Sequence, residues 1–377
     1  MALIQYLTRI QFDFGALALL SDEMAALAIK RPLLVTDRGV QAVGLAQRVT
    51  DAMRPGPAAV FAETPSNPTE AAALAALALY REQGCDGLVA VGGGSSMDLA
   101  KAVAVLATHS GPLTQFMAVE GGVARITSAV APVIAIPTTA GTGSEVGRGA
   151  VVILNDGRKL ALLSPHLIPR LALCDPELTL GLPAGLTAAT GMDALAHCIE
   201  TFLAPANNPP AEAIALDGAT RVAANLLRAV ENGHDRDARW NMMMAAMEGA
   251  MAFQKGLGAV HALSHPLGAI QPLNPHHGTL NAVVMPAVLR FNASTEGIGW
   301  KYEQLRRVLG LSANADLPQH IAAFNRSLGL PAGLAAMGVT EGMLPGIVPH
   351  ALKDHSLASN PRPVDAAQML GLLQESM

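Results

Sequence analysis

The sequence predicts a two-domain protein, with an N-terminal α/β domain built on a mostly parallel sheet and an all-α C-terminal domain. Three observations predict this class. The chain has 377 residues, whereas a domain usually holds about 100–200. In its first half, short apolar runs alternate with helical patterns, as in βαβ units. After Pro183 the apolar residues keep a helical period. We therefore place the boundary near residue 180, with domains at 1–180 and 181–377.

Buried strands are expected in the first domain because compact apolar runs end there in small or polar residues. These runs are PLLVTD (32–37), AAVFAE (58–63), GLVAVGGG (87–94) and VIAIPTTAGTGSE (133–145). Helical stretches at 69–84 and 96–108 lie between them. Residues 149–164 place an Asn-Asp-Gly turn between apolar runs, which predicts a β-hairpin. LALCDP (171–176) predicts one more strand.

The second half predicts helices only. Residues 186–204, 210–232 and 238–254 carry apolar faces at helical spacing, rich in Ala, Leu and Met. Aromatic residues form only 3% of the chain, so these aliphatic side chains must fill the core.

Composition and charge exclude several classes of protein. Hydrophobic residues make up 51% of the chain, which excludes intrinsic disorder. The net charge is −5 without a basic cluster, so no nucleic-acid partner is expected. No uncharged apolar run approaches the roughly 18 residues of a membrane span, and the N-terminal stretch lacks a signal-peptide layout. Three widely spaced cysteines favour a reducing, cytoplasmic location over a disulfide framework.

Two small-residue loops follow predicted strands and suit a nucleotide. In VAVGGGSSMDLAK (89–101), glycines would let the backbone approach a phosphate at a helix N-terminus. An ordinary strand-to-helix turn is the alternative. PTTAGTGSE (137–145) is a second such loop. Asp37 also ends a strand, where a carboxylate can accept hydrogen bonds from a ribose diol. Its alternative use is a helix or turn cap.

Histidines cluster in the second half in a pattern that favours a divalent metal. Asp193 and His197 are four residues apart, so they share one helix face. The same spacing joins His261 and His265, and His276 and His277 follow in PHHG. One carboxylate and several imidazoles are ligands that such a metal prefers. A lone histidine would instead be a hydrogen-bonded core residue. Several buried polar groups together favour the metal, because each unpaired one costs roughly 1–3 kcal/mol.

Together these motifs resemble the iron-containing (group III) alcohol dehydrogenase family. The resemblance rests on GGGSSMDLAK, PTTAGTGSE, GMDALAHCIE, GLGAVHALSHPLGA and HHGTLNAVVMP, in this order between about residues 30 and 292. It implies an N-terminal dinucleotide-binding domain, a C-terminal helical domain that holds one divalent metal, and an active site in the cleft between them.

The resemblance also implies roles for single residues. The metal ligands would be Asp193, His197, His261 and His277, with His277 preferred over His276 because it directly precedes the glycine. His265 would relay a proton or orient the substrate. The residues implied in cofactor binding are Asp37 at the ribose, Asn67 near the nicotinamide, Gly93, Gly94 and Ser95 at the pyrophosphate, and Thr138, Thr139 and Thr142 in the second loop.

The expected function is hydride transfer between a nicotinamide cofactor and a small alcohol, aldehyde or ketone activated by the metal. NAD is favoured, with NADP possible, and the metal would be Fe2+ or Zn2+. A homodimer in the cytoplasm is expected by analogy with the family. The alternatives are a glycerol or polyol dehydrogenase, a maleylacetate-reductase-like enzyme, a lyase of the dehydroquinate-synthase kind, a metal-dependent hydrolase, and a non-catalytic nucleotide-binding protein.

Overall fold

A computed structural model describes residues 8–377. The chain divides into two compact units. The first, the α/β unit, comprises residues 8–139 and Gly143–Leu180, and the second, the helical unit, comprises Gly181–Met377 with the short stretch Ala140–Thr142. The predicted fold class, an α/β domain followed by an all-α domain, is confirmed.

The α/β unit is built on one six-stranded parallel sheet. Its strands have the order β1-β8-β5-β4-β2-β3, and β6 and β7 form a separate antiparallel pair. The strands are β1 (Ile10–Phe12), β2 (Pro32–Val35), β3 (Ala59–Phe61), β4 (Gly87–Gly92), β5 (Val133–Pro137), β6 (Gly149–Ile153), β7 (Lys159–Leu163) and β8 (Leu171–Cys174).

Helices cover both faces of this sheet, which explains why its strands are continuously apolar rather than alternating. In β4, Leu88 and Ala90 belong to the core on one face, whereas Val89 and Val91 belong to the core on the other. The helices of this unit are α1 (Leu20–Ala26), α2 (Arg38–Ala42), α3 (Leu45–Ala52), α4 (Glu70–Glu82) and α5 (Gly94–Thr108).

The sequence predicted most of these elements, and the structure adds the strand β1 and the helices α1, α2 and α3. The predicted strands, the helices at 69–84 and 96–108 and the hairpin at 149–164 are confirmed. The analysis missed β1, which pairs with β8 at the sheet edge. At three residues, β1 is too short to give a periodic signal of its own.

The helical unit surrounds one long central helix. Helix α6 (Ala184–Leu203) is buried over nearly its whole length. Small residues permit close helix packing: a Cβ on Gly218 of the next helix would lie 2.7 Å from the sulfur of Cys198. The other helices are α7 (Pro209–Glu231), α8 (Arg236–Ala252), α9 (Ala259–Leu267), α10 (His277–Asn292), α11 (Gly299–Val308), α12 (Leu317–Ser327), α13 (Leu344–Ala351) and α14 (Ala366–Glu375). Across residues 8–377, none of the helices combines the length and apolar character of a membrane span.

A carboxyl pair between α7 and α8 makes stability depend on pH. Burial and the neighbouring Asp217 raise the pKa of Glu248 from 4.5 to about 8. In the unfolded chain this carboxyl ionises near its ordinary pKa, so between these values the folded state holds one extra proton. The stabilisation is complete below the unfolded pKa and is lost as the pH rises through the folded one.

We expect Glu248→Gln, which is neutral at every pH, to lose less stability than the wild type between about pH 5 and about pH 8.5. Urea unfolding midpoints at the two pH values measure this difference. Glu231→Gln, at the exposed end of α7, is the matched control and should behave as the wild type does. An unchanged pH dependence in Glu248→Gln would contradict the assignment.

Candidate functional site

The two predicted small-residue loops lie side by side at the carboxyl ends of β4 and β5. Gly92 pairs with Pro137 in the sheet, and the amide of Thr138 donates to the carbonyl of Gly92 at 3.0 Å. A Cβ on Gly93 would lie 3.2 Å from Thr139 Oγ1, so the loops touch. The sheet register therefore brings these two parts of the predicted nucleotide site together.

Glycine is required in the first loop by backbone conformation and space. Gly92 has a φ of +148°, and a Cβ there would lie 2.6 Å from Ser96 Oγ. Helix α5 then begins at Gly94, with Gly93 as its N-cap and, within the described residues, no side chain that caps it. Its first backbone N–H groups are thus directed to an anion such as a phosphate.

Asp37 is the N-cap residue of α2, which is the alternative use that the sequence analysis gave for it. Its Oδ1 accepts from the amide of Val40 at 2.9 Å at the start of α2, and its Oδ2 lies 3.4 Å from Ser96 Oγ. The cap uses one carboxylate oxygen, and the other faces the glycine loop. The Ser95 hydroxyl donates to the carbonyl of Ser66, so neither serine caps α5.

The remaining predicted cofactor residues are placed differently. Asn67 Oδ1 accepts a hydrogen bond from the ammonium of Lys159 at 2.9 Å. The sequence analysis missed Lys159, because a single lysine in a hairpin carries no spacing signal. Thr142 lies in the stretch Ala140–Thr142, which groups with the helical unit rather than with the other loop residues.

In the helical unit, three helices bring the predicted metal ligands together. Asp193 and His197 lie on one face of α6, His261 lies on α9, and His277 is the first residue of α10. The Nε2 atoms of His197, His261 and His277 lie 4.0, 3.7 and 3.6 Å from Asp193 Oδ1. His276 is the exposed N-cap residue of α10.

Glycines next to these ligands let the helices approach. A Cβ on Gly278 would lie 2.2 Å from the carbonyl oxygen of Ala189, so α10 can meet α6 only with glycine after His277. A Cβ on Gly249 of α8 would lie 3.0 Å from the Cβ of His197. The His-Gly pair of the sequence motif therefore has a packing reason.

Asn281, one turn after His277, marks the point on which the donor atoms converge. Its Nδ2 donates to Asp193 Oδ1 at 2.7 Å, and the same atom lies 3.3 Å from His261 Nε2 and 3.2 Å from His277 Nε2. Asn281 is fully buried. The donor atoms of Asp193, His261 and His277 therefore surround one point, which the amide nitrogen of Asn281 occupies.

Glu200 fixes the orientation of His261. Its Oε2 accepts from His261 Nδ1 at 2.6 Å, and its Oε1 accepts from the amide of Val260 at 2.7 Å. With Nδ1 engaged, the Nε2 of His261 is left for the common position. A carboxylate behind a ligating histidine sets its tautomer in many metal sites.

The charges in this cluster favour a cation. Burial would raise the pKa of Asp193, but the imidazoles of His197, His277 and His261 hold it well below its usual range. Burial lowers the pKa of His197 to about 4 despite Asp193. Burial opposes protonation of His261 too, yet hydrogen bonds to Asp193 and Glu200 raise its pKa to about 9. A buried anion of this kind needs a positive partner, which either a protonated His261 or a bound cation supplies.

The donor set fits a divalent transition metal. The ligand atoms of Asp193, His197 and His261 lie within 4.8 Å of one another. Imidazole nitrogen with one carboxylate oxygen suits both Fe2+ and Zn2+.

His265 lies beside this cluster and has its own carboxylate partner. Its Nδ1 bonds Asp354 Oδ2 at 2.8 Å, and its ring stacks on that of His277 with centroids 5.4 Å apart. Burial would raise the pKa of Asp354, but His265 lowers it below its usual range. The second nitrogen of His265 is therefore on the side of the ring away from Asp354.

Sequence reasoning missed three residues that support the cluster. Glu200 and Asn281 were within reach of a spacing argument, since they follow His197 by three and His277 by four residues. Asp354 was not, because 89 residues separate it from His265.

Two sequence profiles together match nearly the whole chain. The profile described as iron-containing alcohol dehydrogenase matches residues 8–176. The profile described as the C-terminal part of the Fe-containing alcohol dehydrogenase family matches residues 187–377.

Relatives and solved structures agree with these profiles. A 4-hydroxybutyrate dehydrogenase of Cupriavidus necator is 60% identical over 100% of both chains. The crystal structure of a 1,3-propanediol oxidoreductase superposes with a TM-score of 0.92, at 32% identity and full coverage of both chains. A sulfoacetaldehyde reductase from Bifidobacterium kashiwanohense, in complex with NAD+, gives a TM-score of 0.89 at 28% identity, covering 100% of this chain and 99% of that one.

If the cluster around Asp193 is a metal centre, His261→Ala should bind Fe2+ and Zn2+ more weakly than the wild type. We expect a loss greater than the about 10- to 100-fold that removal of an outer-shell partner costs. Metal content after reconstitution and dialysis, measured by mass spectrometry, tests this. His234→Ala, which removes an exposed imidazole, should keep the wild-type content. Full metal occupancy in His261→Ala would refute the centre.

Proposed function

The chain belongs to the iron-containing alcohol dehydrogenase family, and from this premise we propose that it interconverts a short ω-hydroxy acid and its aldehyde, with 4-hydroxybutyrate as the reference substrate. At the level of the family, it is an alcohol oxidoreductase that uses NAD(P) and a divalent metal. One observation carries the narrower substrate proposal, namely the full-length similarity to the 4-hydroxybutyrate dehydrogenase of Cupriavidus necator.

We propose that Asp193, His197, His261 and His277 hold the metal, Fe2+ or Zn2+. The convergence of three of these side chains on the position of the Asn281 amide supports this set. NAD⁺, when bound, would supply the hydride acceptor, and the metal held by these residues would supply Lewis acidity toward the substrate oxygen. Glu200 keeps a proton on Nδ1 of His261 and so holds its Nε2 toward the centre.

His265 is the proposed acceptor of the proton that the hydroxyl group loses. Asp354 holds the Nδ1 of His265 at 2.8 Å, which leaves Nε2 to take the proton. The carboxylate also stabilises the imidazolium that results, as a positioned acid does behind other catalytic histidines. In the reverse direction the same nitrogen returns the proton to the alkoxide oxygen.

The proposed dinucleotide site uses the two touching loops of the α/β unit. Gly93, Gly94 and Ser95 would bind the pyrophosphate at the start of α5, and Thr138 and Thr139 would contact it from the second loop. Thr142 and Asn67 stay predictions from the resemblance, with Lys159 a cation beside Asn67. Asp37 would accept from the ribose diol and repel a 2′-phosphate, which favours NAD over NADP.

The alternative functions are not favoured. Both family profiles and the named relatives describe alcohol-linked oxidoreductases. Neither a hydrolase nor a non-catalytic nucleotide-binding protein would explain this similarity. The polyol dehydrogenase and maleylacetate-reductase alternatives stay in the same superfamily. The 1,3-propanediol dehydrogenase of Klebsiella pneumoniae is 35% identical and the solved maleylacetate reductase 28%, below the 60% of the 4-hydroxybutyrate dehydrogenase. The cytoplasmic location and the homodimer stay predictions.

The substrate proposal is tested with the purified protein reconstituted with Fe2+ or Zn2+. We expect NADH formation with 4-hydroxybutyrate at a kcat/KM at least about tenfold above that with 1-butanol, because the carboxylate adds a charged hydrogen bond. Absorbance of the reduced nicotinamide measures both. The two substrates have the same carbon chain, so 1-butanol is the matched control. Equal values for the two would refute the hydroxy-acid proposal while leaving the alcohol dehydrogenase activity intact.

The cofactor proposal is tested by Asp37→Asn. Asparagine caps helices about as well as aspartate, so α2 should keep its cap while the negative charge is lost. We expect KM for NADP to fall about tenfold or more relative to KM for NAD. Initial rates with each cofactor measure the ratio. Asp13→Asn, which removes a charge elsewhere in the α/β unit, is the control. If the ratio of KM for NADP to KM for NAD is unchanged in Asp37→Asn, Asp37 does not contact the ribose.

A further inference from the structure

Three nearly parallel imidazoles form a column that begins at His277 of the candidate metal centre. The ring of His277 stacks on that of His265 at 5.4 Å and 9°, and His265 stacks on His355 at 5.7 Å and 16°. The side chain of the middle ring, His265, is 10% exposed, and those of the two end members, His277 and His355, are 26% and 35% exposed. We call these three rings the imidazole column. Its outer member, His355, belongs to none of the sequence motifs and has no role in the centre described above.

One carboxylate bonds the middle ring of the column and lies beside the outer ring. Asp354 Oδ2 bonds His265 Nδ1 at 2.8 Å, and Asp354 Oδ1 lies 3.7 Å from His355 Nδ1. Oδ1 also accepts from the amide of Ser356 at 2.8 Å, which fixes the carboxylate. Because Nδ1 and Nε2 lie on opposite sides of an imidazole, both rings turn Nε2 away from Asp354. Two nitrogens of neighbouring parallel rings therefore face the same way.

We propose that His355 binds the carboxylate of the substrate while His265 faces its hydroxyl group, so that the outer pair of the column selects ω-hydroxy acids of about four carbons. This inference rests on the proposed function. The hydroxyl oxygen and the carboxylate carbon of 4-hydroxybutyrate are four bonds of about 1.5 Å apart, roughly 5 Å when extended. The 5.7 Å between the two ring centroids matches that length.

Four cations of the helical unit, of which Lys255 and Arg239 are buried, donate hydrogen bonds to main-chain carbonyls. Lys255 and Lys301 donate to main-chain carbonyls at the end of α6, and Arg239 and Arg362 also donate to main-chain carbonyls. A buried carboxylate needs hydrogen-bond donors. The imidazole of His355 supplies a donor beside His265, at the partly exposed end of the column.

A second metal ion is the rival occupant of this place. The ligand atoms of His265, Asp354 and His355 lie within 4.8 Å of one another. Imidazole lone pairs lie in the ring plane, however, so two rings stacked at 16° direct them side by side and not toward one point. This geometry favours a ligand with two separated polar ends over a single ion.

The test compares His355→Leu with the wild type on 4-hydroxybutyrate and on 1-butanol. Leucine keeps an apolar surface against His265 but removes the N–H donor. We expect KM for 4-hydroxybutyrate to rise about 10- to 100-fold, as for loss of one hydrogen bond to a charged group. The kcat/KM for 1-butanol should stay within about threefold, since neutral substrates do not use this contact. Inhibition of butanol oxidation by butyrate should weaken by the same factor as the KM change.

His355→Gln is the second variant, because an amide restores a donor, and it should recover part of the affinity. His350→Gln removes an exposed imidazole of α13 and should leave both substrates unchanged. An equal loss on both substrates, or an unchanged preference for the acid in both His355 variants, would overturn the inference. So would a second bound metal that disappears in His355→Leu. If the wild type itself shows no preference for the acid, the proposed function fails, an outcome that is visible before any variant is made.

Discussion

The charge of one buried carboxylate organises the helical unit. Asp193 is 3% exposed on a helix that is apolar on almost every side. Removal of one partner from a buried ion pair costs about 3–5 kcal/mol, so a carboxylate here requires compensation. Imidazoles from three helices and the amide of Asn281 supply it. The glycines that admit these helices, and Glu200 behind His261, follow from the same requirement.

The candidate ligand site of the α/β unit differs from that of the helical unit, because it is formed by backbone groups and not by charged side chains. Gly92 and Gly93 leave room where a side chain would collide with Ser96 or Thr139. The start of α5 then presents N–H groups to an anion. A parallel sheet is suited to this arrangement because the carboxyl ends of neighbouring strands meet at one edge.

The imidazole column would connect the metal chemistry to substrate choice. His277 belongs to the candidate centre, and the proposed roles are proton transfer for His265 and recognition of an anion for His355, yet the three rings form one stack. Asp354 bonds the middle ring and lies beside the outer one, and it is held by a backbone amide. A single carboxylate thus lies next to both the proposed proton acceptor, His265, and the proposed hydrogen-bond donor to the substrate carboxylate, His355. Under this proposal, the distance between two rings selects the length of the substrate, and the shape of an apolar pocket does not.

Local sequence patterns were enough to predict the α/β and all-α domains, the glycine loops and the helix faces that carry Asp193 with His197 and His261 with His265. These are local features, and the periods of strand and helix fix which neighbours share a face. The distant groups that complete each site became known only from the folded chain. Glu200 meets His261 across 61 residues and Asp354 meets His265 across 89. No spacing rule reaches that far, because such pairs are set by how helices pack and not by the period of any one of them.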